Sequence, residues 1–374
     1  MNKALFYLIA LTFPLQAHLP LKSTPLTQIS DKAHHIVQSL TLEQKIGQLC
    51  MVAATASPEL TVKKSNSLPY NMTPEYVEYA ISQLGVGGII FLGKSTKQSI
   101  KSHIKHFQEI SAIPLLIGLD AEWGSGMRLI DGLTFPKNNR LGHYNSYYTT
   151  FAVGYCIGKE LKKLGIHINF APVVDLDTNP DNPIINNRAF SSDPQIVTKH
   201  AHAYISGLQS AGILSCIKHF PGHGDTGVDS HYDLPLLTHN RERLEHIELM
   251  PFKNLCNITD AIMVGHIAVP CLDATKTPAT LSHTITTELL QKTIGFSGLI
   301  ITDGLGMQAV TKQYQPGELE VAACLAGNDI LLCPVDIKAA IESIKHAVTD
   351  GRLSIEQLDH KVYKIICAKL RSII

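Results

Sequence analysis

Gly212-Ile213-Leu214-Ser215-Cys216-Ile217 leads without a break into Lys218-His219-Phe220-Pro221-Gly222-His223-Gly224-Asp225, and Asp229-Ser230-His231 follows shortly after. A short apolar run bounded by turn residues reads as a strand buried on both faces. This one ends in an ammonium and an imidazole and continues as a glycine-rich loop, which makes poor core. It is a good way to aim polar side chains into a cleft. Strands of that kind belong to parallel sheets covered by helices, so their number decides the architecture.

The chain carries eight such runs: residues 46–54, 85–92, 114–120, 167–175, 213–219, 261–269, 298–303 and 329–333. Helical patterns separate them at 74–83, 97–110, 148–164, 194–211, 241–256, 284–292 and 334–349, and a terminal helix is expected at 355–370. Residues 317–325 would supply the seventh crossover, the least regular of the set. Thr41 and Gln44 have the spacing of a capping box before the first run. Alternating strands and helices with nothing left over predict an α/β fold, a (β/α)8 barrel of the TIM type in one domain. An open doubly wound sheet is the alternative.

In that barrel the active site lies at the carboxyl ends of the strands. Here those ends carry Asp120, Asp175, Lys218 with His219, His266 and Asp303, and all five are expected to meet in one mouth. Formal charge is zero, which gives no electrostatic case for nucleic acid or an anionic membrane surface. The eight cysteines form no CxxC pair and lie mostly in apolar runs, so they read as buried thiols. A basic start, Met1-Asn2-Lys3, precedes an apolar stretch over residues 4–15 and then Gln16-Ala17. That layout is a secretory signal peptide over residues 1–17, ahead of a barrel over 18–374. It predicts an exported protein, periplasmic or extracytoplasmic, or a cytoplasmic one if the signal is not used. No integral membrane span is expected.

The quoted segment, with Asp233-Leu234-Pro235 beyond it, resembles the signature of β-N-acetylglucosaminidases of glycoside hydrolase family 3. The likeness extends along the chain. Asp120-Ala121-Glu122-Trp123-Gly124 with Met127-Arg128-Leu129 is similar to the family's third-strand segment. The stretch from Asn169 through Pro172 to Asp175, with Asn187-Arg188-Ala189-Phe190, matches the fourth-strand region. Ile301-Thr302-Asp303-Gly304-Leu305 is similar to the segment carrying the family's nucleophile.

The resemblance implies a retaining exo-β-N-acetylglucosaminidase that removes terminal N-acetylglucosamine from peptidoglycan fragments or chitooligosaccharides. No cofactor and no metal are implied, and the partner is a carbohydrate substrate. By resemblance, Asp303 is the nucleophile, and His231, oriented by Asp229, is the acid/base. An imidazole suits that task because its unperturbed pKa of ~6.5 lets it cycle near neutral pH. Asp120, Arg128, Arg188, Lys218 and His219 are the implied sugar-binding residues. Asp175 is expected to brace Lys218 or Arg188, and His223 and Asp225 to bind or merely to shape their loop. Trp123 stands where better-known members carry glycine, either stacking on a sugar or packing at the rim. Three other readings compete: a related family 3 β-glucosidase, a metal-dependent hydrolase drawing ligands from His219, His223, Asp225, Asp229 and His231, and an exported barrel that only binds sugars.

Overall fold

The computed structural model describes residues 26–56, 72–230 and 232–373. The signal-like residues 1–17 and the proposed acid/base His231 lie outside the described residues. Eight parallel strands form one sheet: β1 (Cys50–Ala54), β2 (Gly88–Phe91), β3 (Leu116–Leu119), β4 (Ile168–Asn169), β5 (Leu214–Phe220), β6 (Ala261–Val264), β7 (Leu299–Thr302) and β8 (Leu331–Leu332). The order runs from β7 down to β1 and then to β8. A parallel bridge between Ile301 and Ile330, with the Thr302 amide donating to the Ile330 carbonyl at 3.0 Å, joins β7 to β8. The sheet therefore closes into the expected (β/α)8 barrel.

Every residue of the eight strands is buried, as required of a barrel filled inside and covered by helices outside. Helix starts follow local chemistry. Thr41 and Gln44 form the expected capping box, Thr41 N–H donating to Gln44 Oε1 at 2.9 Å and Gln44 N–H to Thr41 Oγ1 at 3.3 Å. Thr73, Thr96, Ser146, Asp193, Asn240 and Asp336 likewise accept backbone N–H groups at their helix N-termini. The terminal helix Ile355–Ile373 packs on an additional helix, Leu26–Ser39, through the stacked rings of His34 and Tyr363 and a 3.0 Å hydrogen bond from Tyr363 to Ser30.

Three local expectations need correction. The first apolar run begins as helix, because Ile46 belongs to Leu42–Gln48 and β1 starts at Cys50. The helix expected over 241–256 is two, Arg241–His246 and Met250–Leu255. Pro251 opens the second, where its missing N–H costs nothing, but it could not continue the first. Regular pairing in the fourth run stops at Asn169, although Val174 still donates to the Lys218 carbonyl at 2.9 Å. The seventh crossover does hold a helix, Glu318–Ala326, with Glu320 Oε2 accepting the Gly317 amide at 2.6 Å.

Helices Tyr147–Leu164 and Pro194–Ser210 approach until backbone meets backbone. A Cβ on Gly154 would lie 2.5 Å from the Tyr204 carbonyl oxygen, and one on Gly207 would lie 2.3 Å from that of Phe151. Gly154→Ala gains roughly 1 kcal/mol of helix propensity but must push the helices apart, at about 1–3 kcal/mol or more. Urea unfolding should therefore show a net loss of stability. An unchanged or higher midpoint would mean that the two helices separate freely.

Candidate active site

At the carboxyl end of the strands lies a cavity of about 250 Å³. That is at the small end for ligand sites, which span ~300–1,000 Å³, and it admits one ring rather than a chain. Its polar wall is made by Asp120, Glu122, Arg128, Arg188, Lys218, His219, His223, Ser230 and Asp303. Ile90, Met127, Ile184, Met263, Met307 and Leu332 complete it with apolar surface. Lys218 and His219 are adjacent on β5, where side chains should alternate. The β5/β6 register shifts between Lys218 and Phe220, and Lys218 and His219 both line the cavity.

The polar wall is a buried ion-pair cluster. Lys218 Nζ lies 2.9 Å from Asp120 Oδ1 and 3.0 Å from Glu122 Oε1. Arg128 donates to Asp120 Oδ2 at 2.9 Å. Arg188 grips Glu122 with two bonds, Nε to Oε2 at 3.0 Å and Nη2 to Oε1 at 2.8 Å. Burial alone would raise the Asp120 carboxyl, but Lys218 and Arg128 outweigh it and hold the group well below the usual carboxylate range. For Glu122 the same competition, won by Arg188 and Lys218, brings the carboxyl down to about 2. Burial disfavours the Lys218 charge, yet Asp120 and Glu122 more than restore it and raise the ammonium above its ordinary value. Both carboxylates are thus pure acceptors, and Lys218 has used two of its three donors.

His219 is held separately. Its Nδ1 lies 2.6 Å from Asp175 Oδ2, which leaves Nε2 for a ligand. Asp175 also accepts the backbone N–H of His219, at 3.2 Å, and that of His223, at 2.7 Å. Its carboxyl, which burial would raise, is lowered by His219. The expected brace on Lys218 or Arg188 is therefore a brace on His219 and the loop behind it. The His223 ring, with Nδ1 2.7 Å from Thr226 Oγ1, is pushed below the ordinary imidazole value by burial and by His219.

Asp303 sits just past β7 and its carboxylate accepts the Gly304 amide at 2.8 Å. His266 does not reach the cavity. It is fully buried and donates from Nε2 to the Gly304 carbonyl at 2.9 Å, bracing the turn that carries Asp303. Neither Asp175 nor His266 lines the mouth, so of the five polar strand ends expected there three converge, those bearing Asp120, Lys218 with His219, and Asp303.

Of the residues expected at the site, Asp120, Arg128, Arg188, Lys218, His219 and Asp303 share the one cavity. Asp229 is half-buried in the loop and does not line it, although its neighbour Ser230 does. Glu122 was missed as a site residue. Its place in the motif, two residues after Asp120 just beyond a strand end, was the available signal. Trp123 is absent from the cavity wall. Its ring faces Lys137 Nζ, 4.8 Å from the centroid, so it packs at the rim.

Among the described residues the ligand set considered for a metal ion does not gather. His219 is committed to Asp175, while Asp225 turns away to His239 and to Arg243, 2.7 Å off. Among the described residues the donor atoms of Asp225, His239 and Glu248 lie within 4.8 Å of one another. Arg243 bridges the two carboxylates, 2.7 Å from Asp225 and 3.3 Å from Glu248, so a guanidinium already takes the place a cation would seek.

A parallel barrel whose strand-end cavity combines the Asp303 carboxylate with a wall of buried charges is built to hold a small polar ligand. Residues 41–368 match the glycosyl hydrolase family 3 N terminal domain, and the chain belongs to that family. It is 33% identical over 375 residues to beta-hexosaminidase A of Pseudoalteromonas piscicida, covering 89% of this chain and 61% of that protein. It is also 33% identical over 306 residues to beta-hexosaminidase LpqI of Mycobacterium tuberculosis, covering 77% of each. The structure resembles a glycoside hydrolase family 3 beta-N-acetylglucosaminidase from Paenibacillus sp., with a TM-score of 0.79 and 35% identity over 90% of this chain and 63% of that one. The chain thus spans somewhat under two thirds of the Pseudoalteromonas and Paenibacillus proteins.

Glu122 lies below its ordinary value of 4.5, so its ion pairs add stability that is complete above about pH 4.5 and is lost as pH falls toward 2. Glu122→Gln strands Arg188, leaves Lys218 with Asp120 alone, and should cost on the order of 3 kcal/mol near neutral pH. The gap between wild type and variant should narrow as denaturant unfolding is repeated from about pH 5 down to pH 3. A gap independent of pH would refute the cluster as drawn.

Proposed function

We propose that the chain is a retaining exo-β-N-acetylglucosaminidase, acting on terminal residues of peptidoglycan fragments or chitooligosaccharides. The observation that carries this reading is the sharing of one ring-sized cavity by Asp303 and the Asp120–Lys218–Glu122–Arg188 cluster, in a chain of this family. The relatives named β-hexosaminidase support the choice of sugar.

In the proposed reaction the Asp303 carboxylate attacks the anomeric carbon. The bond to the leaving-group oxygen breaks as His231 gives that oxygen a proton, and a glycosyl ester of Asp303 forms. Water then attacks the same carbon, His231 takes its proton, and the ester opens to restore Asp303. Asp229 orients the imidazole and stabilises its cation. Asp120, fixed as an acceptor, takes hydrogen bonds from ring hydroxyls, while Lys218, His219 Nε2 and Arg128 donate to their oxygens. The apolar wall suits the C–H face and the acetamido methyl.

Asp303→Ala should lower turnover of p-nitrophenyl N-acetyl-β-glucosaminide by on the order of 1,000-fold or more, with the fold intact by circular dichroism. Wild type should prefer that substrate to the plain β-glucoside, in water as in phosphate. Near-normal turnover by the variant would remove Asp303 from its role, and preference for the glucoside would move the protein to a β-glucosidase.

A further inference from the structure

The segment after β3 carries two charged side chains of the cavity wall, Glu122 and Arg128, and they are held differently. Glu122 is fixed by its own contacts, two bonds from Arg188 and one from Lys218. Among the described residues the Arg128 guanidinium has a single bond, Nη2 to Asp120 at 2.9 Å, and its buried Nε has no hydrogen-bond partner. A side chain tied at one point lies where its backbone puts it. That backbone leaves the short helical turn Ser125–Met127, and the Arg128 amide donates to the Ser125 carbonyl at 2.9 Å. The Gly126 amide donates to the Leu133 carbonyl at 2.8 Å and closes residues 126–133 into a loop. Glu160, from the helix Tyr147–Leu164, stands at that closure. Its Oε2 accepts Ser125 Oγ at 2.5 Å, the Leu133 amide lies 3.3 Å from both its oxygens, and Lys97 Nζ lies 2.7 Å from Oε1. The Lys97 amide in turn donates to Asp131 Oδ1 at 2.9 Å, inside the same loop.

We infer that Glu160 is a positioning residue for the reaction proposed above: through Ser125 and Leu133 it fixes the loop so that Arg128 reaches the cavity with Nε left for a sugar oxygen. The inference rests on that functional reading only for its kinetic consequence. Glu160 does not line the cavity, so it acts on a ligand only through the loop. Its neighbours on the helix, Ile157, Leu161 and Leu164, are buried apolar residues, and its own side chain is 8% exposed. A carboxylate in such surroundings costs free energy that its partners must offset, and an apolar residue would pack there as its neighbours do. What a leucine could not supply is an acceptor for the Ser125 hydroxyl and the Leu133 amide. Ser125 is the link, because its hydroxyl holds Glu160 while its carbonyl holds the Arg128 amide. A hydrogen bond from a charged donor is worth about tenfold or more in binding, so a displaced Arg128 loses up to that much.

The test uses Glu160→Gln and Ser125→Ala in the full chain, with steady-state kinetics on p-nitrophenyl N-acetyl-β-glucosaminide. In both, KM should rise about three- to tenfold while kcat stays within about twofold, as expected when binding shared by ground and transition states is lost. Arg128→Ala should raise KM at least as much. Adding Ser125→Ala to it should then change KM by less than about twofold, because the two act through one contact. Trp123, the single tryptophan, belongs to the same segment, its carbonyl accepting the Phe135 amide at 2.8 Å. Acrylamide quenching of its fluorescence should increase about twofold in Glu160→Gln and Ser125→Ala. Unchanged KM or unchanged quenching would overturn the inference. So would losses that multiply in the double variant, or a fall in kcat at constant KM. If Glu160→Gln does not fold, Ser125→Ala and the double variant carry the comparison. If wild type turns over no aryl glycoside, the functional reading fails, and the quenching still decides whether Glu160 holds the loop.

Discussion

Lys218 is the constraint on which the site depends. A buried ammonium survives only if opposite charges are built around it, and here Asp120 and Glu122 stand within 3.0 Å. Those carboxylates are in turn neutralised by Arg128 and Arg188, so that the segments following β3 and β4 are linked through charge to β5 itself. Two carboxylates and three cations leave one positive charge over, in a cavity that also contains Asp303. Buried ion clusters are poor devices for stability, since apolar residues of similar size often serve as well or better. What this one provides is a wall of charged donors and acceptors whose protonation is fixed and whose geometry is preset. That is what recognition of a many-hydroxyl ligand requires.

The fold was legible because parallel barrel strands leave a plain mark. Each is a short apolar run with no polar alternation, and each is separated from the next by a helical pattern. Failures occurred where that mark is ambiguous. Ile46 is as apolar in a helix as in a strand, and Pro251 breaks a helix whose apolar spacing continues on either side. The short β4 was overread because Phe170, Ala171, Val173 and Val174 are fully buried whether or not they pair regularly.

The site was legible in part for a different reason. A charged residue at the end of a buried strand has few places to go, and Asp120, Lys218 and Asp303 went where strand geometry sends them. Asp175 and His266 end runs of the same kind but are consumed in bracing, Asp175 behind His219 and His266 behind Gly304. Sequence position alone does not separate a side chain that faces a ligand from one that supports it. Only the hydrogen-bond partners do. Asp225 makes the same point, since its motif places it beside the chemistry and its partners turn it away to Arg243 and His239.

The proposed chemistry rests on this wall of fixed charges beside the carboxylate of Asp303. The claim beneath it is that Asp303 attacks the sugar carbon. Incubation with a 5-fluoro-N-acetylglucosaminyl fluoride tests it most directly. Displacement of the anomeric fluoride should leave a glycosyl ester, visible in the intact mass and mapped to Asp303 by peptide fragmentation. Release of fluoride with no adduct at any time, or an adduct on another residue, would contradict the account.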